Sequence, residues 1–533
     1  MKKIFNLLLI AIIAIGFTSC KKYLDINENP NNPTTSSPVL VLPQAIVGSA
    51  SISNTYNANF FYLAGFQANI NGVGGYGSTL TYAYSASNFT GLFTSVYDNA
   101  LDYQYVIDNT SGTPALTYST SIARIMKALM FAKLVDQYND VPYTEALKGS
   151  ALLTPKYDKA EDIYKDLITQ LTASIKAIND GQAITGPSQP SVVAPSTDPL
   201  FKGDMNLWKQ FANTLKLKLL VKMAGVPALN AYARTEFAAL GATGFISTDA
   251  LVQPGYIKEA GRQAPLYNSL GFGSDNARAQ SQQIPTKWIM SFYTLSGGGK
   301  LADPGRGSVI YRGFPSTATN QLGEENTTSS QVPPSGNSAW FTGVDFNTPG
   351  LGVAKGPSQA QPLMLAAESY FLQAEAVVRG YIAGTAKSLY EAGVKSSFNY
   401  LYLNQNGVVG TGKNVDADVA TYFTTNAGSR LANYDLALTD EEKIEAIITQ
   451  KYIALNVINA DEAYNEFRRT TYPTIVNGSA NPVLTFASKV SVSTRGDKLL
   501  GRVLYPQQEF NLNLANVPQG VTLFGSRIFW DLN

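Results

Sequence analysis

The stretch PLMLAAESYFLQAEAVVRGY, from Pro362 to Tyr381, has a helical pattern that decides the predicted fold. Its apolar and small residues recur three or four positions apart, at Leu363, Ala366, Tyr370, Ala374, Val377 and Tyr381. This spacing places them on one face of a helix. Because small and aromatic residues let a second helix approach closely, the stretch predicts a scaffold of packed helices.

The same spacing recurs on both sides of this stretch. Helices are predicted before it over Val39–Tyr56, Asn88–Ile107, Tyr118–Tyr138, Lys159–Ile178 and Asn206–Met223. After it, helices are predicted over Ala386–Leu403 and Thr439–Asn459. Thr439, with Glu442 three residues on, forms a capping box that begins the last helix.

The segment Gly225–Gln361 separates the two helical sets and is rich in glycine, proline, serine and aromatic residues. It contains only short periodic pieces, such as Pro285–Leu295, and loops of this length are usually functional. No linker divides the chain. We therefore predict one mostly α domain over 39–533. Its helical scaffold covers about 39–225 and 362–470, and its loop-rich layer covers about 226–361 and 471–533.

The amino-terminal segment has the three parts of a secretory signal peptide over residues 1–19: Lys2 and Lys3, an apolar run over Leu7–Phe17, and a small polar pair before Cys20. Eleven apolar residues reach only about half of a ~30 Å hydrocarbon core, so a spanning helix is not expected. Cys20 is the only cysteine, and its position after the cleavage site predicts lipid attachment. The alternative is an incidental thiol. Residues 20–38, with three prolines, are predicted to form a polar tether.

The composition excludes several functions. The chain has no histidine, so no Ser-His-Asp triad and no Cys/His zinc site can form. Loss of Lys2 and Lys3 with the signal peptide leaves 38 basic residues against 39 acidic ones, a net charge of −1. Because the chain has no cationic field that would attract nucleic acid, we expect no nucleic-acid partner. We also assign no cofactor and no metal site.

Six segments together resemble SusD/RagB-type lipoproteins over essentially the whole mature chain. They are CKKYLDINENPN (20–31), LAAESYFLQAEAVVRG (365–380), SLYEAGVKSSF (388–398), IITQKYIALN (447–456), EFRRTTYP (466–473) and RVLYPQQE (502–509). The resemblance implies a tetratricopeptide-like scaffold with a loop-rich ligand layer. It further implies a surface-exposed outer-membrane lipoprotein, anchored through Cys20, that passes captured glycans or peptides to a SusC-like TonB-dependent barrel.

Two aromatic loops are the predicted ligand site. Neutral sugars are held by flat rings and a few fixed polar groups, and the resemblance implies that the glycan site draws on these two regions. The loops contribute Tyr76, Tyr82 and Tyr84, followed by Tyr311, Trp340 and Phe341. The alternative for each ring is that it packs under the loops. Gly72, Gly74 and Gly77 also match G-x-G-x-x-G, but Ser78–Tyr84 alternates like a strand, which argues against a dinucleotide site.

The sequence also allows a glycosidase and a peptide-binding protein, and it contains an arginine pair near a helix end. A glycosidase that uses two carboxylates needs no histidine, although no acidic pair stands out. Peptide capture would need polar groups that hold a backbone rather than a platform of rings. Arg468 and Arg469 are expected to form a structural ion pair with Glu368 or Glu375 rather than to contact ligand.

Overall fold

The structure is a computed structural model that describes residues 36–325 and 337–533. The predicted signal peptide, Cys20 and the tether up to residue 35 lie outside these residues. The described part of the chain contains sixteen α-helices and six short strands, which confirms the mostly α fold.

The helices are α1 (Pro38–Phe60), α2 (Ser78–Thr81), α3 (Thr90–Thr110), α4 (Thr117–Tyr138), α5 (Ala160–Ala183), α6 (Met205–Ala224), α7 (Asn230–Ala238), α8 (Pro265–Leu270), α9 (Lys287–Met290), α10 (Pro304–Ile310), α11 (Ala366–Val378), α12 (Ala386–Tyr402), α13 (Val415–Thr425), α14 (Asp440–Ala454), α15 (Ala460–Thr470) and α16 (Gln507–Leu512). The strands are β1 (Gln67–Asn69), β2 (Val141–Pro142), β3 (Tyr157–Asp158), β4 (Ala250–Val252), β5 (Gln283–Pro285) and β6 (Gln361–Met364). They form three antiparallel pairs, β1 with β5, β2 with β3, and β4 with β6.

The long helices form a scaffold in which neighbours along the chain pack side by side. Helix α1 packs on α3, α3 on α4, α4 on α5, and α5 on α6. Helix α11 packs on α12 and α14, and it also contacts α6, which joins the two helical sets. Helix α15 returns to pack on α1. All five helices predicted before residue 225 are present with nearly the predicted bounds, because each carries a long apolar face.

Helix α11 begins four residues later than the sequence pattern predicts. Leu363 belongs to β6, where Leu251 of β4 pairs with Pro362. Leu365 is the N-cap residue with an extended backbone, and the helix starts at Ala366. The strand pairing therefore overrides the helical spacing at this end. The remaining helix buries residues on several faces because α12 and α14 both pack against it.

The helix predicted over Thr439–Asn459 ends early, at Ala454, and α15, which the sequence pattern did not predict, follows it. Its capping box is confirmed, because the Thr439 hydroxyl accepts a hydrogen bond from the Glu442 amide and the Glu442 carboxylate accepts one from the Thr439 amide. Val457 has φ +51°, a left-handed backbone conformation that ends an α-helix. The chain then resumes as α15 at Ala460.

Helix α15 is the polar centre of the scaffold, since its acidic residues are buried among lysines from other helices. The buried pairs join Lys133 to Asp461, Lys222 to Asp136 and Glu462, Lys218 to Glu368 and Glu462, and Lys451 to Glu462 and Glu466. The expected ion pair is confirmed for Arg469, whose Nη2 lies 2.6 Å from Glu375 Oε2. Arg468 instead donates to the backbone oxygens of Gly501 and Asp136. The buried lysines, Arg469 and the carboxylates of this cluster therefore compensate one another's charge.

The loop-rich layer contains more helix than its composition suggests, because α7, α8, α9 and α10 all lie within residues 226–361. Residues 471–533 contain only the short helix α16. This last segment is held on the scaffold by side-chain contacts. Trp530 Nε1 donates to Asp136 Oδ1 over 2.9 Å, and the Tyr505 hydroxyl donates to the Asp140 backbone oxygen over 2.7 Å.

Candidate functional site

The glycine-rich loop between β1 and α2 raises one tyrosine ring from the surface. Gly72 and Gly75 have φ of +77° and +92°, conformations that side chains rarely adopt, so the loop can turn sharply on either side of Val73. Tyr76 lies at the outer end and is partly exposed. The loop is tied down at its start, where the Gly72 amide donates to the Glu325 backbone oxygen over 2.8 Å.

Tyr76 is fixed by an amide on a neighbouring loop. Its hydroxyl donates to Gln282 Oε1 over 2.8 Å, and the Gln282 side chain is exposed. Partial burial and the nearby Glu325 carboxylate raise the pKa of Tyr76, so its hydroxyl stays protonated at neutral pH. The pair therefore offers a ring, a hydroxyl and an amide side by side at the surface.

The base of this site is a network of amide and carboxylate groups. Asn320 Nδ2 donates to the Asn69 backbone oxygen and to Asn71 Oδ1, over 2.8 and 2.7 Å. Asn69 Nδ2 donates to Glu325 Oε1 over 3.2 Å, and Asn69 Oδ1 accepts from the Tyr62 hydroxyl over 2.9 Å. These bonds join residues 62–71 to residues 320–325, and they support the start of the glycine-rich loop.

The two other tyrosines of the first loop are less accessible. The segment expected to alternate like a strand instead forms the single-turn helix α2, which ends at Thr81. Tyr82 follows with φ +60° and is fully buried, and its Oη accepts from the Ser488 amide over 3.2 Å. Tyr84 is partly exposed and packs against Phe89, with ring centroids 4.7 Å apart. Tyr84 remains a proposed contact, whereas we withdraw Tyr82.

The dinucleotide interpretation remains excluded, although for a different reason. A strand does precede the G-x-G-x-x-G segment and a helix does follow it. However, β1 pairs antiparallel with β5, and α2 is only four residues long. A dinucleotide site needs a parallel βαβ unit whose helix N-terminus faces the pyrophosphate.

The second aromatic loop is a small core rather than a surface platform. Tyr311, Trp340 and Phe341 are each no more than 1% exposed. Asn456 Nδ2 donates to Tyr311 Oη over 2.6 Å, and the Phe341 ring packs edge-on against Phe272 with centroids 5.2 Å apart. A long irregular segment must bury its own rings to be stable, so these three rings have no face left for a ligand, and we withdraw them as contacts.

One segment missed by the sequence analysis connects the two loops. Gln282 contacts Tyr76, and Arg278 Nη1 donates to the Asn337 backbone oxygen over 3.4 Å, beside the second loop. The signal in the sequence is a polar run, QSQQ at 280–283, whose last residue begins β5. Its amides become informative only when the fold places them next to an exposed ring.

The accessible groups of the described part of the site are tyrosine rings and amides, which can stack on a ligand and hydrogen-bond to it. Within the described ranges, no group of three or more Cys, Asp or Glu side chains could hold a metal ion. Nor does any helix there have the length and apolar character needed to cross a bilayer.

Comparison with known proteins gives consistent matches. A family model for SusD-like proteins, described as "Starch-binding associating with outer membrane", matches residues 30–495. A chitin-binding SusD homologue from Flavobacterium johnsoniae is 21% identical, with a TM-score of 0.68 over 92% of this chain and 99% of that chain. A SusD homologue from Bacteroides uniformis is 22% identical, with a TM-score of 0.64 over 92% and 99%.

A SusD homologue from Bacteroides fragilis is 20% identical, with a TM-score of 0.64 over 93% of this chain and 99% of that chain. A search of curated protein sequences finds no match. At these identities the solved structures establish a shared fold, and the family model extends over most of the sequence. The protein therefore belongs to the SusD-like family.

Proposed function

We propose that this protein captures an extracellular oligosaccharide or polysaccharide and delivers it to a SusC-like TonB-dependent transporter in the outer membrane. The observation that carries the proposal is the partly exposed Tyr76 ring, held beside the exposed amide of Gln282 at the end of a glycine-rich loop. A ring of this kind can stack on the apolar face of a sugar while the amide bonds to its hydroxyls. Tyr84 is the second proposed contact.

Anchoring and export form the second part of the proposal. Lipid attachment at Cys20 would hold the protein at the outer membrane, and residues 21–38 would space the fold away from the lipid surface. The family description, which mentions outer-membrane association, supports this location. Glycan rather than peptide is favoured because a chitin-binding protein shares the fold and because the accessible site presents a ring.

The test is calorimetric titration of the folded chain with a panel of neutral oligosaccharides, chitin and starch fragments included. We expect Tyr76→Ala to weaken binding of the sugar that binds by about 1–3 kcal/mol, the usual loss for a central aromatic anchor. Gln282→Ala should weaken binding by a smaller amount, because it removes one exposed hydrogen-bonding group.

Tyr232→Ala is the matched control, since Tyr232 is a partly exposed tyrosine on α7, away from the Tyr76 loop in the chain. It should leave affinity unchanged. If Tyr76→Ala and Tyr232→Ala bind the sugar equally well, the Tyr76 loop is not the glycan site. If the chain retains peptides but none of the sugars, the ligand class proposed here is wrong.

A further inference from the structure

A cavity of about 520 Å³ lies at the C-terminal end of α15. Its walls come from that helix end, from residues 474–477, and from three loops of the C-terminal segment around residues 495–497, 524–527 and 533. The volume falls within the range of small-molecule sites. It shares no lining residue with the Tyr76 loop.

Three guanidinium groups and a single side-chain carboxylate line this cavity. Arg495 is paired with that carboxylate, since its Nη2 lies 2.9 Å from Asp497 Oδ2. Arg527 is exposed and, among the described residues, has no hydrogen bond and no carboxylate within 4 Å. The guanidinium of Arg527 is therefore available to hydrogen-bond to a ligand in the cavity.

Arg468 adds a second cation without a paired carboxylate. It is buried between the rings of Tyr464 and Trp530, 5.3 and 5.1 Å from their centroids. Its bonds go to neutral acceptors, and its Nε has no partner in the described part of the chain. Such a buried cation is stabilised by an anion nearby.

The negative groups close to the cavity leave Arg468 and Arg527 without an ion pair among the described residues. Asp531 acts electrostatically on all three guanidinium groups, but it forms no ion pair within 4 Å, and burial raises its pKa. The remaining wall is uncharged, with the Asn477 amide, the Thr471 and Thr474 hydroxyls and the partly exposed ring of Phe524. A free guanidinium, amides and a ring together fit a sugar that carries an acid.

We propose that this cavity binds the carboxylate of an acidic saccharide, such as a uronic acid residue, with Arg527 as the principal contact. A guanidinium matches a carboxylate with two parallel hydrogen bonds, and such charge-assisted bonds are stronger than neutral ones. The Phe524 ring and the Asn477 amide would hold the sugar ring itself. That the ligand is a saccharide rests on the glycan capture proposed above, whereas its carboxylate is inferred from the arginines of the cavity.

The experiment compares an oligogalacturonide with its methyl ester, in which a neutral ester replaces each carboxylate, by titration into the folded chain. We expect the acid to bind about tenfold more tightly than the ester. Arg527→Ala should remove this difference, and Arg527→Lys should restore part of it. Arg262→Ala, which removes an exposed arginine outside the cavity, controls for net charge and should bind like the unaltered chain.

Equal binding of acid and ester, or an acid preference that survives Arg527→Ala, would overturn the proposal. A short acidic peptide that binds as tightly as the oligosaccharide, and loses affinity in Arg527→Ala, would overturn its saccharide part. The neutral-sugar titration with Tyr76→Ala is independent of these results. Failure of the Tyr76 site and failure of this cavity can therefore be told apart.

Discussion

Trp340 was expected from the sequence to contact ligand, but the structure places it in the core. Its side chain is fully buried and its Nε1 has no hydrogen-bond partner within the described residues. We expect Trp340→Ala to lower the free energy of unfolding by about 3–5 kcal/mol, the cost of removing a large buried ring. Urea denaturation measures this loss. An unchanged unfolding midpoint together with weaker sugar binding would show that the ring contacts ligand after all.

The buried carboxylate of Glu375 makes the stability of the fold depend on pH. Burial alone would raise its pKa, but Arg469 and Arg379 lower it to about 2. A carboxylate with a depressed pKa in the folded state stabilises the fold above its unfolded pKa, near 4.3, and this contribution is lost as the pH falls toward 2. The unaltered chain should therefore lose stability over this interval.

Glu375→Gln provides the matched variant for that measurement. It should lower stability at pH 7 by about 3–5 kcal/mol, because it leaves buried Arg469 with one carboxylate partner fewer. Its stability should then fall less steeply than that of the unaltered chain between about pH 4.5 and 2. Chemical denaturation at a series of pH values gives both results. Parallel pH profiles would contradict the assigned role of Glu375.

At the scale of elements, the start of α14 depends on its capping box. Thr439→Ala removes the hydroxyl that accepts from the Glu442 amide, and we expect a loss of about 1 kcal/mol. Thr421→Ala, at an exposed position within α13, should change stability by less than half of this amount. Thermal unfolding of both variants measures the difference. Equal losses would mean that the cap contributes nothing specific.

The long helices could be predicted because their apolar spacing is a local property. The ends of the helices could not be predicted where other features decide them. Pairing with β4 places Leu363 in a strand, and the left-handed backbone of Val457 separates α14 from α15. The site was only partly predictable for a similar reason. Tyr76 and Trp340 both lie in irregular aromatic segments, and only the packing of the whole layer exposes one ring and buries the other.

At the scale of the whole molecule, the helical scaffold carries the two ligand surfaces proposed above. Buried ion pairs hold α15 at the centre of the scaffold. Hydrogen bonds from Trp530 to Asp136 of α4 and from Tyr505 to Asp140 hold the C-terminal segment on it. The Tyr76 loop and the arginine-lined cavity have no lining residue in common. Such an arrangement can hold a chain of sugars at more than one point, which raises overall affinity without a stronger single contact.

Retention without turnover is the central property of this account. The most direct test incubates the folded chain with a neutral oligosaccharide that it binds, and then measures both the bound fraction and the mass of the recovered ligand. We predict saturable binding in the micromolar to millimolar range and recovery of the sugar unchanged. Shortened products or new reducing ends that disappear when one Asp or Glu is replaced would contradict the account and identify an enzyme.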